Sequence, residues 1–394
     1  MSGFEGLLAF RAKFIYPVIR PPIEDGAIVV KDGQILSIDK FSEIKRQFSA
    51  KVIDYGEKAI MPALVNAHTH LELSALERLV KPQENFTSWL WQVVKERMGI
   101  NEKEQFLAEK KAALEISSSG TGLVGDIRNT LPNYPSNANS SFLPFLEFLG
   151  FKREMAEERW PLWKVGIELG IQPALHAPYT VHPEYIRKAK HLAKAHNKKL
   201  SIHIAESRDE VDFLMTAKGA LKEILMFHGA WDDDFKPPKK SPVAYLEGLG
   251  ILDNDTICVH AVEINNEDIE ILKKRQVNIC LCPRSNHYLG LNQAPWKYLK
   301  EAGLLLSLGT DSPASNKDLN LFKEMAYLLE NGPFSSTELI EMATLNGAMA
   351  LGKRNLGILA PGDLAKMIAL PTCGRNIATS IIESGCEKKI DWVK

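Results

Sequence analysis

An α/β fold, a (β/α)8 barrel carrying a small β-sandwich made from both chain ends, is what this sequence predicts. Three patterns carry the prediction. Eight apolar runs of strand length alternate with polar-patterned helical stretches through the middle of the chain. Both ends are β-rich with turn signals, and histidines recur where the apolar runs end. At 394 residues the chain is long for an ordinary domain but suits a barrel with an appendage.

At the N-terminal end, Ala27-Ile-Val-Val30 and Gln34-Ile-Leu-Ser-Ile38 flank Lys31-Asp32-Gly33, a hairpin pattern. Gly357–Leu370 is similar, with Pro361-Gly-Asp363 as the turn before Met367-Ile-Ala-Leu370. Residues 1–57 and 355–394 are therefore assigned to a composite β-sandwich, and residues 58–354 to a TIM barrel. The apolar runs of the barrel are Ile60–Ala67, Thr121–Gly125, Phe142–Leu146, Ile171–Leu175, Leu200–Ile204, Thr256–Val259, Val277–Leu281 and Leu304–Leu308. Pro183–His196, Glu267–Arg275 and Asp318–Glu330 carry helical patterns between them, and Phe235–Pro242 reads as an exposed loop.

Composition narrows the function. Hydrophobic residues make up 45% and charged residues 25%, with a formal net charge of -1, so nothing draws the chain to nucleic acid or an anionic membrane. No apolar stretch reaches the ~18 residues of a membrane span, and Met1–Leu8 lacks the pattern of a secretory leader. The cysteines are Cys258, Cys280, Cys282, Cys373 and Cys386. Their odd number and their place in apolar runs read as buried thiols in a reducing cytoplasm, not as a disulfide framework.

Ten histidines are present, and their placement is the most informative feature. His68 and His70 follow the first run, His176 follows the fourth, His203 ends the fifth and His260 ends the sixth; Asp311 lies just beyond the eighth. In a parallel barrel the carboxyl ends of all strands open on one face, so these residues converge on one mouth. In the extended pair His68-Thr-His70, side chains two apart point to the same side and reach one ion. With His203 and Asp311 they make a three-nitrogen, one-carboxylate set suited to one Zn²⁺ or Fe²⁺ with a position left for water. Glu206, three residues after His203, is placed for general acid–base work, although a glutamate favoured by a helix N-terminus would look the same. His191, His196, His228 and His287 lack strand-end positions, and His191 and His196 read as surface.

With His68-Thr-His70, His203-x-x-Glu206, His260 and Asp311, the sequence resembles the amidohydrolase superfamily, in its cytosine- and adenosine-deaminase-like branch. The resemblance runs from Val30-Lys-Asp-Gly33 to Pro361-Gly-Asp-Leu364. It implies that His68, His70, His203 and Asp311 bind the metal, that Glu206 shuttles protons to the ring nitrogen, and that His260 and Asp311 orient the attacking hydroxide. Carbamylated binuclear relatives carry a lysine after the fourth strand; here Ala174-Leu-His-Ala-Pro178 has His176, which favours one metal.

Within the branch the chain resembles S-adenosylhomocysteine and methylthioadenosine deaminases. It is more similar to aminodeoxyfutalosine deaminases of the futalosine route to menaquinone, through His70-Leu-Glu-Leu-Ser74, Cys282-Pro-Arg-Ser-Asn286 and Gly309-Thr-Asp-Ser-Pro-Ala-Ser-Asn316. Hydrolytic deamination of an adenine-type nucleoside, 6-amino-6-deoxyfutalosine first, is thus expected. Adenosine-type nucleosides, or a chlorohydrolase or guanine-deaminase reaction, remain the alternatives. The benzoate of aminodeoxyfutalosine wants a bidentate arginine; Arg284 is the first candidate, Arg97 and Arg128 the next. An ion pair accounts equally for Arg97, and an apolar helix face equally for Trp89, which is expected beside the ribose. His176 is expected to touch substrate. A homodimer is left open as the assembly.

Overall fold

A computed structural model describes residues 6–82, 85–373, 376–387 and 389–394. The eight expected runs are strands of one parallel sheet: Leu64–Thr69, Thr121–Arg128, Ser141–Phe148, Gln172–Leu175, Leu200–Ile204, Thr256–His260, Asn278–Leu281 and Leu305–Leu308. They neighbour one another in chain order and run parallel, so each is joined to the next by a crossover connection. The ring joins through an isolated bridge between Thr69 and Asp311, where the amides of Thr310 and Asp311 donate to the His68 carbonyl at 3.1 and 3.2 Å. Closure and site construction therefore use the same residues. Gly309 lets the chain pass here, because a Cβ at this position would lie 2.8 Å from the His68 carbonyl oxygen.

The strands read as unbroken apolar runs because a barrel buries both faces. Leu200–Ile204 and Thr256–His260 are buried at every position. Helices pack outside; Pro183–Ala195, for example, starts with proline in its first turn and buries Tyr185, Ile186, Ala189 and Ala193.

The chain ends form a single seven-stranded mixed sheet. Ile23–Lys31 and Gln34–Lys40 make the expected hairpin, with Asp32 and Gly33 both at positive φ in its two-residue turn. Its faces bury separate clusters, Phe10, Ile28, Ile35 and Met367 in one, Leu7, Ala27, Val29 and Ile44 in the other. Two boundaries differ from expectation. Ile60–Ala67 is two elements: Lys58–Pro62 pairs with Leu8–Ile15 and Met367–Pro371 in the mixed sheet, and the barrel starts at Leu64. Between Gly357 and Leu370, strand structure is confined to Met367 onward. All five cysteines are free.

Candidate active site

The barrel's carboxyl ends bring the expected cluster together. The Nε2 atoms of His68, His70 and His203 approach one another to 3.1–3.2 Å. Asp311 Oδ1 stands 3.6 and 3.7 Å from His68 and His70 Nε2. His203 Nδ1 donates to the His176 carbonyl at 2.6 Å, which turns the lone pair of Nε2 toward the centre. Ser285 Oγ at 2.7 Å and Ser315 Oγ hold Asp311 Oδ2, leaving Oδ1 to face the rings.

Charge favours a cation here. Desolvation lowers His68 and drives His70 and His203 well below the usual imidazole range, so the rings are neutral at pH 7. Burial alone would raise the Asp311 carboxyl, but its interactions with His68, His70 and His260 outweigh burial and keep it ionised. Among the described residues no lysine or arginine pairs with Asp311. Three facing lone pairs and one buried carboxylate fit a divalent ion of the zinc or iron type.

Glu206 and His260 stand beside this cradle. Desolvation, then the charge of Asp311, raises the Glu206 carboxyl well above its ordinary value, which favours its protonated form. Asn286 Oδ1 lies 2.9 Å from His260 Nδ1, and His260 Nε2 lies 3.4 Å from Glu206 Oε1. Ala205, His260 and Asp311 all have positive φ, a conformation that costs non-glycine residues on the order of 1 kcal/mol or more. Glu210 secures one such turn, accepting from the Ala205 and Glu206 amides at 3.0 Å each.

Above these residues opens a cavity of about 600 Å³, within the range of small-molecule sites. His176 and Trp89 both line it. His176 Nδ1 is 2.8 Å from Thr180 Oγ1, and Trp89 Nε1 donates to the Ala314 carbonyl at 3.1 Å, so the indole is a fixed wall.

Residues 59–393 match the amidohydrolase family. The chain belongs to that family. It is accordingly a hydrolase acting on carbon–nitrogen bonds, of a family that uses a divalent metal. The buried group able to hold one has ligand atoms of His68, His203, His260 and Asp311 within 4.8 Å of one another, with His70 Nε2 at 3.1–3.2 Å from His68 and His203 Nε2. The 5-methylthioadenosine/S-adenosylhomocysteine deaminase of Pelotomaculum thermopropionicum is 30% identical over 87% of this chain and 79% of that protein. Two solved structures share the fold. The aminofutalosine deaminase of Helicobacter pylori with methylthio-coformycin superposes at TM-score 0.84, 24% identical, over 95% of each chain. An adenosine deaminase of Xanthomonas campestris with bound zinc gives 0.79 at 22% identity, over 97% of this chain and 90% of that one.

The arginines of this amidohydrolase fall differently from expectation. Arg284 is not a wall of the cavity; Nη1 lies 3.0 Å from Asp318 Oδ1 and 3.4 Å from Glu324 Oε1, and its amide donates to Glu324 at 3.0 Å. Glu324 is fully buried, so it takes the nearest arginine. Arg128 is also committed, to Asp126 at 3.0 Å and Glu109 at 3.3 Å. Arg97 does line the cavity, 41% exposed, with a 3.4 Å contact to Glu72. Arg284→Met should destabilise the fold by about 3 kcal/mol, the cost of leaving a buried carboxylate unpaired. Urea unfolding measures this, and any loss of kcat/KM should be equal for substrates with and without a carboxylate. A loss specific to the carboxylate would return Arg284 to the site.

Among the charged residues and histidines of the cavity, Glu72, Glu147, Arg159 and His228 escape the sequence reading. Glu147 had a usable signal, since it ends the third strand as His203 ends the fifth. His228 follows a helix, and no local pattern marks it.

Proposed function

We propose that this amidohydrolase hydrolytically removes the 6-amino group of an adenine-type nucleoside, and that its substrate is 6-amino-6-deoxyfutalosine on the route to menaquinone. The observation that carries the reaction is a buried Glu206, its carboxyl raised by desolvation, beside a three-histidine, one-aspartate cradle at the floor of a nucleoside-sized cavity. One Zn²⁺ or Fe²⁺ held by His68, His70, His203 and Asp311 would bring the pKa of water to about 7, supplying hydroxide at neutral pH. Glu206 gives its proton to the ring nitrogen next to the amine as hydroxide adds to the carbon. Its carboxylate then takes the proton of the added hydroxyl and passes it to the amine, so that the C–N bond breaks, ammonia leaves and a carbonyl remains. His260 Nε2, facing Glu206, orients the group that attacks. Apolar walls, Val94, Leu221 and Leu225 among them, keep bulk water from the ring.

For the substrate, the support is the rim. Arg97 and Arg159 both line the cavity and are exposed, where a carboxylate remote from the reacting carbon would reach. The deaminase relative supports an adenine-type nucleoside as the substrate class, and an aminofutalosine deaminase shares the fold. Ammonia release from a panel of adenine nucleosides tests the reaction. Arg97→Met should cost aminodeoxyfutalosine about 10-fold in kcat/KM, the worth of ~1.5 kcal/mol at a half-exposed charged pair, and spare methylthioadenosine. Equal losses on both would leave Arg97 a partner of Glu72 and return the substrate to an adenosine-type nucleoside.

A further inference from the structure

Four carboxylates line the cavity, and three have their partners. Glu72 accepts from the Asn129 and Thr130 amides at 2.8 Å each, Asp311 accepts from two serines, and Glu206 faces His260. Glu147 is different. Oε2 accepts from Asn129 Nδ2 at 2.9 Å, while Oε1 is buried with no hydrogen-bond partner. Asn129 is itself pinned through its amide to Glu72, so the carboxylate is aimed before anything binds. A buried carboxylate oxygen without a donor is costly, and the missing donor belongs to what fills the cavity.

A cation is the first rival, because Glu147, His176 and His203 place ligand atoms within 4.8 Å of one another. His203 has none to spare. Its Nδ1 is bonded to the His176 carbonyl, and its Nε2 faces His68 and His70. One imidazole lone pair does not serve two ions.

We infer that Glu147 accepts a sugar hydroxyl of the nucleoside and makes the enzyme select ribonucleosides over their deoxy analogues. This rests on the proposed deaminase reading. Besides the reacting amine, the donors on an adenine nucleoside are its sugar hydroxyls; ring nitrogens are acceptors and cannot satisfy a carboxylate. Orientation agrees. With the reacting edge of the purine against Glu206, on the loop after the fifth strand, the glycosidic end turns away from it, and Glu147 ends the third strand, across His176. A site built to bond a hydroxyl rejects the analogue that lacks it, because the protein group is then left unpaired.

The test is kcat/KM for adenosine, 2′-deoxyadenosine and 3′-deoxyadenosine, with wild type and Glu147→Gln in parallel. Wild type should prefer adenosine to at least one deoxy analogue by about 10-fold or more, as for a charged hydrogen bond. In Glu147→Gln the amide oxygen turns to Asn129, which can only donate through Nδ2, and its NH₂ faces the cavity. Adenosine should then fall toward the discriminated analogue, which itself falls far less. Equal kcat/KM for all three substrates in wild type overturns the assignment without any variant. So does an equal loss on all three in Glu147→Gln, or a second metal ion per chain that this variant loses. Absence of ammonia from every nucleoside overturns the deaminase reading and this role with it. Turnover indifferent to the hydroxyls overturns Glu147 alone.

Discussion

Glu206→Gln is expected to keep its metal and lose about 10²–10⁴-fold in kcat, the usual worth of a positioned acid–base group. The substitution preserves volume and hydrogen-bonding shape and removes the transferable proton. Burial favours that proton: desolvation raises the carboxyl, the Asp311 charge adds to it, and burial lowers His260 so that it competes less for the proton. The turn that aims the side chain should survive, because Glu210 holds the backbone amides of Ala205 and Glu206, not the side chain. Steady-state kcat with elemental analysis of the same sample is the measurement. Near-normal turnover in Glu206→Gln would move the shuttle to another group.

His203→Ala should empty the cradle. The wild-type protein is expected to hold about one Zn²⁺ or Fe²⁺ per chain, since one carboxylate and three lone pairs complete one four-donor set. Removing His203 takes away one lone pair and the 2.6 Å bond that ties the fifth strand to the His176 carbonyl. Losing an outer partner alone costs about 10–100-fold in metal affinity, and losing a ligand costs more. Stability gives an independent readout. Metal at about a thousandfold its Kd stabilises the fold by about 4 kcal/mol, so a chelator should lower the Tm of wild type and leave His203→Ala unmoved. Two metals per wild-type chain, or full metal in the variant, would break the mononuclear assignment.

Much of this molecule was legible without coordinates. Barrel strands are buried on both faces, so they stand in the sequence as uninterrupted apolar runs, and seven of the eight are found within a few residues of their expected ends. Parallel topology then places every strand end on one face, which is why His68, His70, His203, His260 and Asp311 could be gathered from positions far apart in the chain. The Asp32-Gly33 turn is equally local, because two consecutive positive-φ residues are a property of residue type.

What tertiary structure alone decided is partnership. Sequence ranks Arg284 ahead of Arg97 for following a strand end, and neighbours reverse the order: the fully buried Glu324 claims Arg284, and Arg97, on a helix that lines the mouth, stays half exposed on the cavity. The break between Pro62 and Leu64 is invisible in one apolar run, because it depends on which sheet offers a free edge. Glu147 gains its meaning from Asn129, which holds one oxygen and leaves the other bare. Residue type and spacing set which chemistry a side chain can perform. Which of its atoms remain free is settled by neighbours that the fold brings from other strands.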